Sequence, residues 1–200
     1  MPKRAADYMT GQREMIARAA LDVLIEKGYH ETSLRDICRA ANVSNGALYS
    51  YFPTREAVVI AACEIDNRLA LEQRCPESWA EYTDIGHDEL VPGTFRSRRF
   101  RLSLQFAAEL SQMPTPPKGL ADLFQAHRLV VRRSLEHLKN LDVVSLPLGL
   151  ETTSDIHCQL FVGASYHLSA NHGTDRVPIM DAFRKGLAET AGLVSMVQLA

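Results

Sequence analysis

Several things are scarce in this 200-residue chain, and each absence excludes something. No apolar run approaches the length of a membrane span, so no contact with a membrane is expected. The opening MPKRAADYMTGQRE is basic but has no apolar core behind it, and so does not read as a signal peptide. Charge of one sign is missing too: 22 Lys and Arg against 24 Asp and Glu leave a net charge of −2. No overall excess of base therefore forces a nucleic-acid partner. There are four cysteines, Cys38, Cys63, Cys75 and Cys158, far apart and without paired metal spacing. Each lies in an apolar or helical pattern, which reads as a buried, reduced thiol suited to the cytoplasm. No sustained period-two alternation, internal repeat or low-complexity tract occurs.

Catalytic signatures are also scarce. There is no glycine-rich phosphate loop and no dinucleotide fingerprint, so neither an enzyme nor a cofactor is expected. GASYH, Gly163 to His167, lacks the second glycine of a nucleophile elbow and lies in a helical pattern with no preceding strand. His157, His167 and His172, with Cys158, do not have the spacing of a helical metal pair, and no metal is expected.

What is present is helix. Hydrophobic residues make up 46% of the chain, enough for a sizeable core. The first helix reads from about Thr10 to Lys27, with Met15, Ile16, Ala19, Ala20, Val23 and Leu24 on one face and Gly28 as its stop. A short second helix follows, with Ser33 as cap and Asp36 in the capping-box place; it ends near Asn42, which tolerates a left-handed backbone. Ser44 caps a third helix to about Tyr51, and Thr54 caps a longer fourth. From Cys75 to about Pro92 the pattern weakens: in CPESWAEYTDIGHDELVPG, two prolines, two glycines and five acids predict loop or broken helix. Further helices are predicted from Phe95, from Leu120 to Leu138, from Ile156 to Ala170 behind a capping box of Thr152 and Asp155, and from Ile179 to about Val197. PTPPKG and NHGTDRVP are connectors.

The second and third helices are short and joined by a tight turn. That is the layout of a helix-turn-helix, whose second member enters the DNA major groove. Leu48 and Phe52, four apart, face inward, which leaves Asn45, Ala47, Tyr49 and Tyr51 outward or flanking the groove. The small Ser44, Asn45 and Gly46 let the backbone approach base edges, and tyrosine hydroxyls reach phosphate oxygens. Taken alone, the two tyrosines would read equally well as packing residues. Arg55 in the first turn of the fourth helix opposes its own helix dipole, and a phosphate would explain it. Thr32 and Ser33 have a sufficient role in capping, and a hydroxyl there can also touch phosphate. Arg13, Arg35 and Arg39 read as solvated charges. Residues 1–56 carry a net +1, leaving −3 for the rest. That weak asymmetry suits a dimer with two positioned half-sites better than a monomer binding non-specifically.

The stretch IARAALDVLIEKGYHETSLRDICRAANVSNGALYSYFPTREAV, Ile16 to Val58, resembles the TetR (tetracycline-repressor-like) regulators. Their pattern is an Ile-x-x-Ala-Ala run, Gly-Tyr, a Thr pair or Thr-Ser, Ile-Ala, Ala-Gly-Val-Ser, Gly-x-Leu-Tyr, an aromatic pair, then Lys-Glu and an apolar residue. The departures are Asn42 for the turn glycine, Cys38 for alanine, Tyr51 where histidine is common, and Arg55 for lysine. The motif covers about a quarter of the chain. The resemblance implies an all-α protein with a three-helix helix-turn-helix DNA-binding domain at 1–56 and a helical ligand-binding and dimerisation domain at 57–200. It implies a homodimer on a palindromic operator in double-stranded DNA, released by a small-molecule inducer. A protein of the same fold controlled by a protein partner is the alternative.

Within that frame, Met180, Phe183, Leu187, Ala191 and Val194 recur at spacings of three and four in the last helix. Leu160, Phe161, Ala164 and Leu168 do so in the helix before, where Gly163 permits close approach. These stripes read either as a four-helix dimer interface or as packing inside one subunit. Trp79, Phe106, Phe124, His127 and Tyr166 are aromatic or polar-tipped residues suited to lining a ligand cavity, though each reads equally as core.

Overall fold

The computed structural model describes the backbone of residues 2–112, 114, 115, 118–170 and 175–194, with side chains over 8–109, 111, 112, 114, 115, 127–169 and 175–194. Among these residues there are nine helices and no strand: α1 Pro2–Lys27, α2 Leu34–Ala41, α3 Asn45–Tyr51, α4 Arg55–Glu72, α5 Trp79–Leu90, α6 Phe95–Gln112, α7 Lys118–Asn140, α8 Leu150–Ala170 and α9 Val177–Ala191. The chain is all-α, as expected. It divides into two compact units, one of Met1–Glu72 with Arg98–Phe124, the other of Gln73–Ser97 with Gln125–Ala200.

In the first unit, α1 packs against α2, α3 and α4. Its buried face is Ile16, Ala17, Ala20, Leu21, Leu24 and Ile25, one residue round from the predicted stripe, so that Met15 is exposed. Ile37, Leu48, Phe52, Val58 and Ala62 close the same core, and Leu102 and Phe106 of α6 join it. α1 starts eight residues earlier than predicted and ends at Lys27, just before Gly28, whose positive φ is one glycine adopts freely.

In the second unit, α5 packs on α8, and α8 on α9. α5 lies where loop or broken helix was predicted. Ser78 caps it by accepting from the Glu81 N–H at 3.1 Å. Its interior Gly86 is a contact rather than a break: a Cβ there would stand 2.8 Å from the Phe161 ring. α8 starts at Leu150 instead of Ile156, after Gly149 at φ +81, with the Thr153 N–H donating to the Gly149 carbonyl. Thr152 therefore sits inside the helix, and the predicted capping box gives way to an Asp155–Arg128 ion pair. α9 ends at Ala191 instead of Val197. Gly192 takes a left-handed φ of +62 and turns the chain so that Leu193 forms an antiparallel bridge with Val144.

Candidate nucleic-acid interface

The turn that presents α3 is built from local hydrogen bonds. Ser33 Oγ accepts from the Asp36 N–H at 3.2 Å, and the Asp36 carboxylate accepts from the Ser33 N–H at 3.1 Å, a reciprocal capping box. Lys27 also donates to Asp36, and its hydrogen bond, followed by those from Ser33, holds that carboxyl well below the usual carboxylate range. Asn42 ends α2 in the left-handed region at φ 52, and the Val43 N–H donates to the Cys38 carbonyl at 3.0 Å. Ser44 then caps α3, accepting from the Ala47 N–H at 3.1 Å. These are the caps and the turn residue expected from the sequence.

α3 has two distinct sides. Leu48, and Phe52 just past its end, are 0% exposed and anchor it in the core, while Tyr49 is 53% exposed. Ser44, Asn45, Gly46 and Ser50 are exposed beside Tyr49, and Ala47 and Tyr51 are half-buried. A Cβ on Gly46 would meet nothing closer than the Ser44 hydroxyl at 4.0 Å, so this edge of the helix is open. Ser33, Arg35 and Arg39 on α2 are exposed too.

Two of the other proposed contacts have partners inside the fold. Thr32 is buried, and its hydroxyl donates to the Gly28 carbonyl at 2.7 Å. Its hydroxyl is thereby withdrawn from solvent into the first helix's C-terminal turn. The Arg55 guanidinium lies 4.2 Å over the Tyr29 ring and donates to the carbonyls of Tyr29 and Thr32. The cation at the start of α4 thus neutralises the C-terminal end of the α1–α2 turn, so a phosphate is not needed to explain it. Sequence reasoning also missed a residue here. Arg13 donates to the Tyr51 carbonyl at 2.7 Å and lies 4.2 Å over the Phe52 ring, fixing the end of α3 from α1. The partners are 38 residues apart, beyond any local sequence signal.

The residues suggested for a cavity are divided between the two units: Phe106 and Phe124 belong to the first, and Trp79, His127 and Tyr166 to the second. Phe106 is in the first unit's core, edge-on to Tyr29, and Tyr166 is 70% exposed on α8. His127 packs edge-on against Phe161 in the second unit. The side chain of Phe124 lies outside the described residues. Trp79 is half-buried and stacks 5.3 Å from Tyr82, beside His157. His157 is fully buried between two hydroxyls: Tyr82 Oη at 2.8 Å from Nδ1 and Thr190 Oγ1 at 3.0 Å from Nε2. Thr190 spends its own proton on the Gly186 carbonyl at 2.7 Å, so it accepts from Nε2–H, and Nδ1 accepts from Tyr82. Burial lowers the His157 pKa to about 4, and burial also pushes the Tyr82 phenol well above its ordinary value. The imidazole is therefore neutral, with both nitrogens engaged.

Six of the ten residues suggested for an interface are buried. Met180, Phe183, Leu187 and Ala191 of α9, and Phe161 and Ala164 of α8, are buried within one chain. Leu160 and Leu168 are half-buried, Leu160 against Gly186, and Val194 is exposed beyond the end of α9. The exposed apolar residues of α8 are instead Val162 and Tyr166, on either side of the open Gly163.

Comparison with known proteins bears on the family and the fold. The family model described as bacterial regulatory proteins, tetR family, matches residues 16–62. The HTH-type transcriptional regulator UidR of Escherichia coli K12 is 36% identical over 182 residues, 90% of this chain and 91% of that protein. Among solved structures, E. coli NemR in its reduced form superposes with a TM-score of 0.68 at 16% identity, covering 92% of this chain and 100% of that one. A transcriptional regulator from Saccharomonospora viridis in complex with choline gives 0.67 at 15% identity, covering 92% and 99%. These two structural likenesses speak for the fold.

Proposed function

This chain belongs to the tetR family of bacterial regulatory proteins and is a DNA-binding transcriptional regulator, and from that premise we propose that it is a homodimeric repressor released from a palindromic operator by a small molecule. The observation that carries the reading is the two-sidedness of α3: Leu48 at 0% exposed against Tyr49 at 53%, with small residues at its start. A helix anchored from behind and open in front can lie in the major groove. Asn45 and Ala47 then face base edges, and Tyr49, with Tyr51 at the flank, reaches phosphate. Ser44 contributes a hydroxyl at the start of α3 and Gly46 the close approach, whereas the Ser33 hydroxyl donates to the Asp36 carboxylate at 2.6 Å.

Dimerisation is assigned to the exposed side of α8, Val162, Gly163 and Tyr166, because the inner stripes are consumed within the subunit. The small molecule is assigned to the second unit, near Trp79, Tyr82 and His157, where aromatic surface adjoins buried hydroxyls. A ligand that binds the DNA-incompetent form about 100-fold better shifts the balance by roughly 2.7 kcal/mol.

The test uses the inverted repeat nearest the protein's own gene as a labelled duplex. Compounds that raise the melting temperature and change the fluorescence of Trp79, the only tryptophan, are expected to release that duplex. Compounds that bind at saturation and leave the duplex bound would transfer control to a protein partner.

A further inference from the structure

We propose that Cys38 sets the base preference of α3 through Asn45, by holding its amide so that only the N–H2 group is offered to the DNA. The inference rests on the reading of α3 as the recognition helix. Cys38 is buried in α2, and its thiol donates to Asn45 Oδ1 at 3.1 Å. Asn45 is the exposed first residue of α3, and the backbone on both sides of the contact is fixed. The Cys38 carbonyl accepts the Val43 N–H at 3.0 Å, and the Ser44 cap holds the start of α3. The donor cannot follow the amide if it rotates, so the contact selects one orientation. Burial pushes the Cys38 thiol pKa up, which keeps the proton that makes the bond.

The consequence follows from the chemistry of the amide. A free asparagine offers an acceptor and a donor together, the pair that matches N6 and N7 of adenine. With one lone pair of Oδ1 taken by the buried thiol and the oxygen turned toward α2, the groups Asn45 turns outward are the N–H2 donors. Those suit an edge of acceptors, O6 and N7 of guanine or O4 of thymine, and leave the N6 amino group of adenine without a partner. Cys38 is then a positioning residue for specificity, touching no DNA itself.

The experiment is selection from a randomised duplex library by the full-length protein, as wild type, Cys38→Ala, Cys38→Ser, Asn45→Ala and Cys38→Ala with Asn45→Ala. Wild type is expected to select guanine or thymine at one position per half-site, the position at which Asn45→Ala loses its preference. Cys38→Ala is expected to move that position toward adenine by about three- to fivefold, the size of one weak hydrogen bond at 1.4 kcal/mol per tenfold. Cys38→Ser, which keeps a donor, should retain the wild-type choice, and Cys38→Ala should have no further effect in the Asn45→Ala background. Preference is a ratio within one protein, so a general loss of stability does not move it. A uniform loss of affinity in Cys38→Ala, or a shift that persists without Asn45, overturns the role of Cys38 and leaves α3 as the reader. An Asn45→Ala protein with unchanged preference at every position overturns the placement of α3 as well.

Discussion

The two units handle buried polarity in opposite ways. In the first, the core is a continuous apolar cluster from α1, α2, α3, α4 and α6, and most polar bonds lie at its rim, as caps and arginine contacts. In the second, a neutral histidine sits at 0% exposure between α5 and α9, bonded at both nitrogens. An apolar core holds one arrangement by packing and leaves its surface helix rigid. A buried polar chain is stable only while every member keeps its partner, so it can be unsettled from a single point. On the proposed reading, the first unit presents a fixed surface and the second holds the ligand-sensitive part.

The largest test of this contrast is Phe183→Asp. The ring is buried against Phe161, with centroids 4.9 Å apart. An unpaired carboxylate there should cost about 4 kcal/mol or more, enough to unfold the second unit in a melting experiment. A normally folded monomer would return this stripe to the subunit interface and break the comparison.

Next is pH. His157 ordinarily titrates at 6.5, and its folded value is about 4. Between those values the unfolded chain binds a proton that the folded chain refuses, so stability falls as pH drops from 6.5 and levels off below about 4. The full loss is on the order of 3 kcal/mol. Asp36 in the first unit acts outside this window: its carboxyl is lowered from 3.8, and its contribution is lost only as pH falls below that ordinary value. Urea midpoints taken from pH 7.5 to 4 should show the decline in wild type and a flatter curve in His157→Gln. Equal slopes would place the titrating group elsewhere.

A smaller effect is expected at Arg55. Arg55→Met keeps the stem over Tyr29 but loses the two carbonyl bonds, at about 1–2 kcal/mol of stability. If the guanidinium serves the fold alone, the salt dependence of DNA binding stays as in wild type. A slope lower by about one per subunit would restore a phosphate contact. The smallest is Tyr49→Phe: stability within about 0.5 kcal/mol, and operator affinity lower by about 1 kcal/mol per subunit, similarly across operator variants. Full affinity at fixed salt would turn Tyr49 away from the backbone of the DNA.

The presentation of α3 was legible because its determinants are close in sequence. Ser33 and Asp36 are three apart, Asn42 makes its own left-handed turn, and Ser44 reaches only to Ala47. α5 was not legible, because Gly86 reads as a breaker until Phe161 is found against it. Likewise, Thr152 and Asp155 have the spacing of a capping box, but Arg128, 27 residues before Asp155, takes the carboxylate.

By itself, then, the sequence determined the all-helical class, the helix-turn-helix with its caps, and the family to which Ile16–Val58 belongs. Each depends on contacts within a turn or two of helix, where spacing settles geometry. Only the tertiary structure decided sidedness and partnership. Met180, Phe183 and Leu187 form the same stripe whether they cover another helix of this chain or of a second one, and burial chose the former. Cys38 meets Asn45 because the turn folds back, Arg13 meets Tyr51 across 38 residues, and His157 meets Tyr82 across 75. A helical pattern records that a face must be covered, and the packing of distant segments determines what covers it.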